Sequence, residues 1–332
     1  MHEYLIPILE CPACHGELDW TMSERDRDHV EKAVARCVSC SAAYPIREGI
    51  GVFLTPDLPR QDLWEEVESG LIAYLREHPR VERELMETPL GKLAPADQFF
   101  RALVLEERGA FADAKESVKA AHAGLHTSEY LACWESQYDY VLERLSSSSD
   151  PIVDIASGRC YFAERMAGKL DCPIIITDFS PRVLRRDRRL LEFLGLYERT
   201  SLLAFDARRT PFRDGSVKTM TTNLGLANIE NPGRLLDELR RIISGELLAI
   251  MTFYPAEDEE NKEAIQSLGL ESFLYQDTAL DLFTTAGFEV ELANIQQGRA
   301  LPTPKSELLE GAEIDALPAA ETEITWCTLV AH

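Results

Sequence analysis

Two short apolar runs, each ending on an aspartate, constrain this chain more than any other feature. Ile152-Val153-Asp154-Ile155 leads into the small residues Ala156-Ser157-Gly158, and Tyr161-Phe162-Ala163-Glu164-Arg165-Met166 follows. That order reads as strand, tight turn and helix. Pro173-Ile174-Ile175-Ile176-Thr177 then stops on Asp178, twenty residues after Gly158. Strands buried on both faces of a parallel sheet read as continuous apolar runs, and ligands bind at their carboxyl ends. Small residues let the backbone approach a ligand, and a carboxylate ending the second strand can accept hydrogen bonds from both hydroxyls of a ribose.

The alternation continues to the end of the chain. The patterns predict strands over 152–156, 173–178, 201–205, 217–224, 246–253, 288–294 and 323–330. They predict helices over 160–170, 181–194, 232–243 and 277–285. The last two strands have no helix-length pattern between them and are expected to pair antiparallel at one edge. The fold class expected is therefore α/β, a doubly wound, mostly parallel, seven-stranded sheet covered by helices on both faces.

Upstream the composition changes twice. Residues 1–55 hold two Cys-x-x-Cys pairs and short apolar runs. Residues 56–145 open after Pro56 and Pro59 and carry helical periodicity at Leu63-Trp64-Glu65-Glu66-Val67 and across 98–105. The turn-rich Ser146–Ser149 and Asp150-Pro151 precede the first strand. Three units follow: 1–55, a helical linker or cap at 56–145, and an α/β domain at 146–332.

Cys11-Pro12-Ala13-Cys14 and Cys37-Val38-Ser39-Cys40 are separated by 22 residues. Four thiolates close a tetrahedral site suited to structural zinc, with no open position for catalysis. The gap is long for a zinc ribbon, and the charged stretch from Glu24 to Ala35 reads as an insertion. His15 beside the first pair reads as turn filler. Cys133, Cys160, Cys172 and Cys327 read as small buried hydrophobes.

Charge narrows the partners. The chain has 57 acids against 34 Lys and Arg, a net charge of -23 over 332 residues. A field of that sign repels phosphate backbones and anionic membranes, so nucleic acid would need a local basic patch. Arg182, Arg185, Arg186 and Arg189, with Arg188 beside them, form the one candidate, and a solvated helix face accounts for it more simply. No run is long and apolar enough to span a membrane. The expected location is the cytoplasm, and a homodimer is one option for assembly.

A pyrophosphate site wants several glycines at the helix N-terminus. Here only Gly158 is present, and Asp154 at the strand end suits a ligand with an ammonium group instead. S-adenosylmethionine has a ribose diol, an α-ammonium and no phosphate. Residues 152–253 resemble the class I S-adenosylmethionine-dependent methyltransferases, of the group that includes ubiquinone and menaquinone methylating enzymes. Val153-Asp154-Ile155-Ala156-Ser157-Gly158, Asp178, Phe205-Asp206-Ala207, Pro211-to-Ser216 and Asn223-Leu224-Gly225-Leu226 carry the resemblance. It implies a cofactor site of Asp154, Ala156, Ser157, Gly158, Asp178, Phe179, Asp206, Ala207 and Asn223. Asp206 would meet the adenine amino group, with Phe179 and Ala207 as walls of the ring. Ala156 and Cys160 replace family glycines, a change the turn tolerates if their φ angles are negative. The first 50 residues resemble the Trm112-like zinc ribbons, through Ile6, Leu9, Cys11-Pro12, Cys14, Gly16, Leu18, Cys37, Cys40 and Tyr44-to-Ile50.

For the acceptor, His122, His126, Tyr130, Trp134 and Tyr138 fall four residues apart, on one face if a single helix carries them. His122, His126 and Tyr130 are the candidate catalytic residues of a lid, and an amphipathic helix packed on the sheet is the simpler alternative. Three functions stay open: a methyltransferase for a small-molecule acceptor, one for RNA, or a non-catalytic partner protein.

Overall fold

The computed structural model describes residues 1–58 and 63–332. The break expected at Pro59 lies outside the described residues. The first residues form an antiparallel ribbon of β1 (Leu18–Asp26), β2 (His29–Cys37), β3 (Ala43–Arg47) and β4 (Ile50–Val52). Glu24 to Ala35 is not an insertion but the hairpin itself, with Leu18 opposite Cys37 and Asp26 opposite His29. Helices α1 (Leu63–Glu77), α2 (Pro79–Glu87), α3 (Pro95–Glu107), α4 (Phe111–Leu125) and α5 (Ser128–Leu145) follow.

The alternating part comprises β5 (Ile152–Asp154), α6 (Tyr161–Lys169), β6 (Ile174–Asp178), α7 (Pro181–Leu194), β7 (Thr200–Ala204) and β8 (Val217–Asn223). It continues with α8 (Pro232–Ile242), β9 (Ile243–Phe253), α9 (Glu259–Leu268), α10 (Glu271–Leu274), α11 (Gln276–Thr285), β10 (Val290–Ala300) and β11 (Thr322–Ala331). Local chemistry sets these bounds. Ser180 caps α7 by accepting from the Val183 N–H at 3.4 Å, with Pro181 in the first turn and Gly195 at φ 69° ending the helix. Thr127 caps α5 in the same way, accepting from the Tyr130 N–H at 3.1 Å.

Strand order is β1-β2-β3-β4-β7-β6-β5-β8-β9-β11-β10. From β7 to β9 the pairs are parallel, and β11 lies antiparallel between β9 and β10. These seven strands are the expected sheet with its expected antiparallel edge. The chain runs outward from β5 through β6 to β7, and then outward again from β8, so β5 and β8 flank the switch point where a crevice opens.

The strand count differs from expectation because the ribbon joins the same sheet. β4 pairs parallel with β7, placing Ile50, Gly51 and Val52 opposite Leu202, Leu203 and Ala204. A Cβ on Gly51 would meet the buried Leu203 and Phe53 side chains at 2.8 Å, so a larger residue at this seam would push on the core. One hydrophobic cluster runs through both parts, from Leu5, Leu9 and Phe53 to Phe205, Phe212 and Leu239. Arg241 closes the polar side, reaching Glu10 at 2.9 Å and Glu238 at 2.7 Å.

On the other side of the sheet α5 packs along β10 and β11. The Gln137 side chain is fully buried there, donating to the Asn294 carbonyl at 2.8 Å and accepting from Thr328 at 2.9 Å. Residues 301–321, between β10 and β11, are irregular but pinned at both ends. Asp97 of α3, buried, accepts from the Glu307 and Leu308 N–H groups at 3.3 Å each. Asn261 of α9, also buried, accepts from the Ala319 N–H at 2.8 Å and donates to the Ala320 carbonyl at 3.1 Å. Among the described residues no helix is long and apolar enough to cross a membrane.

Candidate functional site: a cofactor crevice and an aromatic wall

The turn after β5 is where the local backbone is most unusual. Ala156, Gly158 and Cys160 all lie at positive φ, 53°, 53° and 64°. The condition of negative φ is not met at Ala156 and Cys160: both occupy the left-handed region that disfavours a Cβ. Hydrogen bonds hold the turn there. The Ser157 N–H donates to the Thr177 carbonyl at 2.9 Å, and the Ser157 hydroxyl donates to the Asp154 carbonyl at 3.0 Å. Thr177 adds a donation to that same carbonyl at 2.8 Å.

Asp154 and Asp178 end adjacent strands and are both buried. Asp154 accepts from the Thr221 hydroxyl of β8 at 2.7 Å. Burial pushes its carboxyl up to about 6, while its hydroxyl donors pull the other way. A cationic partner would lower it again. Asp178 accepts from the Gly158 N–H at 3.1 Å and the Ser180 N–H at 2.9 Å, which aims the carboxylate across the turn. Ala156, Ser157, Gly158, Phe179 and Ala207 are all half-buried, just beyond the carboxyl ends of β5, β6 and β7. Asp206 is buried at the end of β7, and Arg208 grips it at 2.9 and 2.7 Å while reaching Glu230 at 3.2 Å.

Charged residues shut one side of the turn. Glu106, at the end of α3, takes Arg159 at 2.5 Å and lies 3.8 Å from Arg186. Arg186 donates to the Gly158 carbonyl at 3.0 Å and to Asp187 at 2.9 Å. Nothing in the periodicity of α3 marked Glu106 as a site residue, because its partners lie more than 50 positions away.

The five residues at four-residue spacing are brought together, but not by one helix. His122 lies in α4, His126 caps its end, and Tyr130, Trp134 and Tyr138 lie in α5. The turn at Thr127 continues the stripe. His126 stacks on Tyr130 at 4.4 Å between ring centroids, and Tyr130 meets Trp326 of β11 edge-on at 5.0 Å. The stripe lies against the end of β8: the Trp134 indole N–H donates to the Asn223 side-chain oxygen at 3.3 Å, and the Asn223 amide donates to the Tyr138 hydroxyl at 3.0 Å. Burial lowers His122 and His126 to about 4, so both imidazoles are neutral at pH 7. The sequence did not single out Trp326; an aromatic residue inside a strand carries no site signature.

In the ribbon the sulfurs of Cys11, Cys14, Cys37 and Cys40 all lie within 4.8 Å of one another. Cys11 is 3.6 Å from Cys40, and Cys14 is 3.4 Å from Cys37. Four thiolates about 2.3 Å from one zinc ion sit about 3.8 Å apart, so the arrangement is compatible with that metal. The Tyr44 hydroxyl, 3.2 Å from the Cys11 sulfur, adds an outer partner. His15, at φ 58°, pairs with Glu10 at 2.7 Å, as turn filler would. The other four cysteines are buried.

A cavity of about 1040 Å³ separates the ribbon hairpin from α7. Several of its arginines are engaged: Arg188 with Glu31 and Glu192, both at 2.8 Å, and Arg182 with Glu107 at 3.6 Å. Arg189 donates to the Glu107 carbonyl at 3.1 Å.

Comparison with known proteins matches two segments of the chain. Residues 153–247 match the family described as Methyltransferase domain, and residues 2–49 match the Trm112p-like proteins. A UPF0434 protein of Methylobacillus flagellatus is 35% identical over 68 residues, which is 20% of this chain and 100% of that protein. One from Aliivibrio fischeri is 40% identical over 65 residues, 20% of this chain and 86% of that protein. Among solved structures, a SAM dependent methyltransferase from Aquifex aeolicus overlays with a TM-score of 0.41 at 12% identity, covering 58% of this chain and 88% of that one.

Proposed function

From a chain that belongs to the class I S-adenosylmethionine-dependent methyltransferases and opens with a Trm112p-like ribbon, we propose an enzyme that methylates a small-molecule acceptor. When bound, the cofactor supplies a methyl group already activated by a positively charged sulfur. What remains for the protein is alignment and exclusion of water, worth about 7–11 kcal/mol in favourable cases.

The observation that carries this reading is the meeting of the cofactor crevice and the aromatic stripe at Asn223. In the proposal Asp178 takes the ribose hydroxyls and Asp154 faces the ammonium end, where its raised carboxyl gains a counter-charge. Phe179 and Ala207 flank the adenine, and Asp206, steadied by Arg208, meets its amino group. Ala156, Ser157 and Gly158 contribute backbone at close range. His122, His126 and Tyr130 line the acceptor side, where neutral imidazoles suit hydrogen bonding to a substrate more than proton abstraction.

The division of labour proposed is a zinc-holding ribbon at 1–55, a helical cap at 56–145 and the transferase at 146–332. A cytoplasmic setting suits it, since reducing conditions keep the four ribbon thiols available to metal. The engagement of Arg182 and Arg188 with Glu107, Glu31 and Glu192 favours a small molecule over RNA. Labelled methyl transfer into fractionated extract, counted separately for metabolites, RNA and protein, tests the reading. Label in RNA alone, or in no fraction, would overturn it.

A further inference from the structure

The arginine face of α7 receives the end of α3, and through it α3 reaches the cofactor turn. Glu106 and Glu107 stand in the last turn of α3, which holds no basic residue of its own. Carboxylates there meet the negative end of the helix dipole, so α3 by itself gains nothing from them. The gain comes from α7. Arg182 lies 3.6 Å from Glu107, Arg186 lies 3.8 Å from Glu106, and Arg189 donates to the Glu107 carbonyl at 3.1 Å. Positions 182, 186 and 189 share one helix face, and the acidic end of α3 is seated on it.

From there the contacts run into the turn. Glu106 accepts from Arg159 at 2.5 Å, and the Phe99 ring, two helical turns earlier on α3, lies 5.2 Å from the same guanidinium. Arg159 stands between Gly158 and Cys160, two of the three residues held at positive φ. Arg186 donates to the Gly158 carbonyl at 3.0 Å, while the Gly158 N–H donates to Asp178 at 3.1 Å. Both backbone groups of Gly158 are thereby tied. Glu106, Arg159 and Arg186 are all buried, so solvent screens their attraction little.

Ala156 and Cys160 carry a Cβ where left-handed backbone favours glycine, so this turn needs a restraint that glycines would make unnecessary. Resting on the methyltransferase reading, we propose that Glu106 is a positioning residue: through Arg159 and Arg186 it holds the glycine-poor turn in the form that binds the cofactor. Docking of α3 and formation of the cofactor site are then one event.

Calorimetry with S-adenosylhomocysteine on the full chain tests it, with Glu106→Gln made in two backgrounds. In the natural turn the substitution should weaken binding about ten-fold, since it withdraws a charge that two buried guanidiniums share. In Ala156→Gly/Cys160→Gly, where the backbone accepts positive φ unaided, the same substitution should cost less than about two-fold. A role in overall stability alone would lower affinity alike in both. Arg159→Gln breaks the same pair from its other side and gives the same comparison should Glu106→Gln fail to fold. Equal losses in the two backgrounds, no loss in the natural turn, or no binding by the glycine background overturns the proposal. Failure of the unmodified chain to bind S-adenosylhomocysteine overturns instead the methyltransferase reading on which it rests.

Discussion

Ile50 of the ribbon and Leu202 of the α/β sheet lie opposite each other in a parallel pair of strands. The ribbon is thus hydrogen-bonded into the same sheet as Asp154, with β7 and β6 between its β4 and the β5 that carries that residue.

Removing the metal proposed for the ribbon should therefore be felt beyond it. Chelation, or Cys37→Ser, is expected to release hydrogen-exchange protection at Leu202–Ala204 as well as in β2, with β8 and β9 still protected. Cofactor affinity should fall less than ten-fold, because Asp154 and Asp178 are held by partners outside the ribbon. Protection unchanged at β7 would show that the seam is stable without the metal.

Asp178→Ala should weaken S-adenosylhomocysteine binding at least ten-fold, about 1.4 kcal/mol. The substitution removes the proposed ribose acceptor together with the acceptor for the Gly158 and Ser180 N–H groups. Asp178→Asn, which keeps one carbonyl oxygen, should fall between wild type and Ala. Near-equal affinity in all three, measured by calorimetry, would remove Asp178 from the site.

The left-handed turn makes a prediction of unusual sign. Ala156→Gly should leave stability unchanged or raise it by up to about 1 kcal/mol, since glycine accepts φ 53° without the Cβ clash. Ala156→Val should cost about 2 kcal/mol or more, a β-branched residue being least at ease there. Urea denaturation of the two variants decides it, and a stable Val variant would contradict the backbone geometry.

Stability should fall as the solution is acidified below pH 6.5. His29, His122 and His126 are all held at about 4, chiefly by burial, so the unfolded chain takes up protons that the fold refuses. Their contribution is complete above pH 6.5 and is lost as pH falls toward 4. Asp154, raised to about 6, and Asp187, raised to about 7, act oppositely: they favour the fold at low pH and lose that contribution as pH rises through those values. His122→Phe removes one imidazole and keeps a ring. Its loss of stability between pH 7.5 and 5 should be smaller than that of wild type by about 1–2 kcal/mol. Parallel losses in the two proteins would mean that His122 is not held neutral.

The α/β half was legible because its signals are local. Buried parallel strands leave apolar runs such as Ile174-Ile175-Ile176, and caps such as Ser180-Pro181 mark where helices begin. The same holds for the four cysteines, whose spacing alone brings the pairs together. The seam between β4 and β7 was not legible, because Ile50-Gly51-Val52 carries no sign of which strand it will join. The backbone of the turn was not legible for a related reason. Ala156 and Cys160 are held at positive φ by a network involving Thr177 and Asp178 of the next strand, and that tertiary restraint outweighs the local preference. Glu106 and Trp326 reach the site through tertiary packing only.

The seam also sets an order of events for the growing chain. β4 is complete at Val52, but the strand it pairs with begins at Thr200 and lies 152 residues away, counting from Ile50 to Leu202. At a synthesis rate of about 5–20 residues per second, the open edge waits for several seconds at least before its partner exists. An unpaired strand edge is a template for pairing with other chains, and very short edge strands blunt that hazard. With only three residues, β4 offers a foothold too small to recruit a stranger, yet long enough to close the sheet once the hydrophobic cluster on both sides has formed.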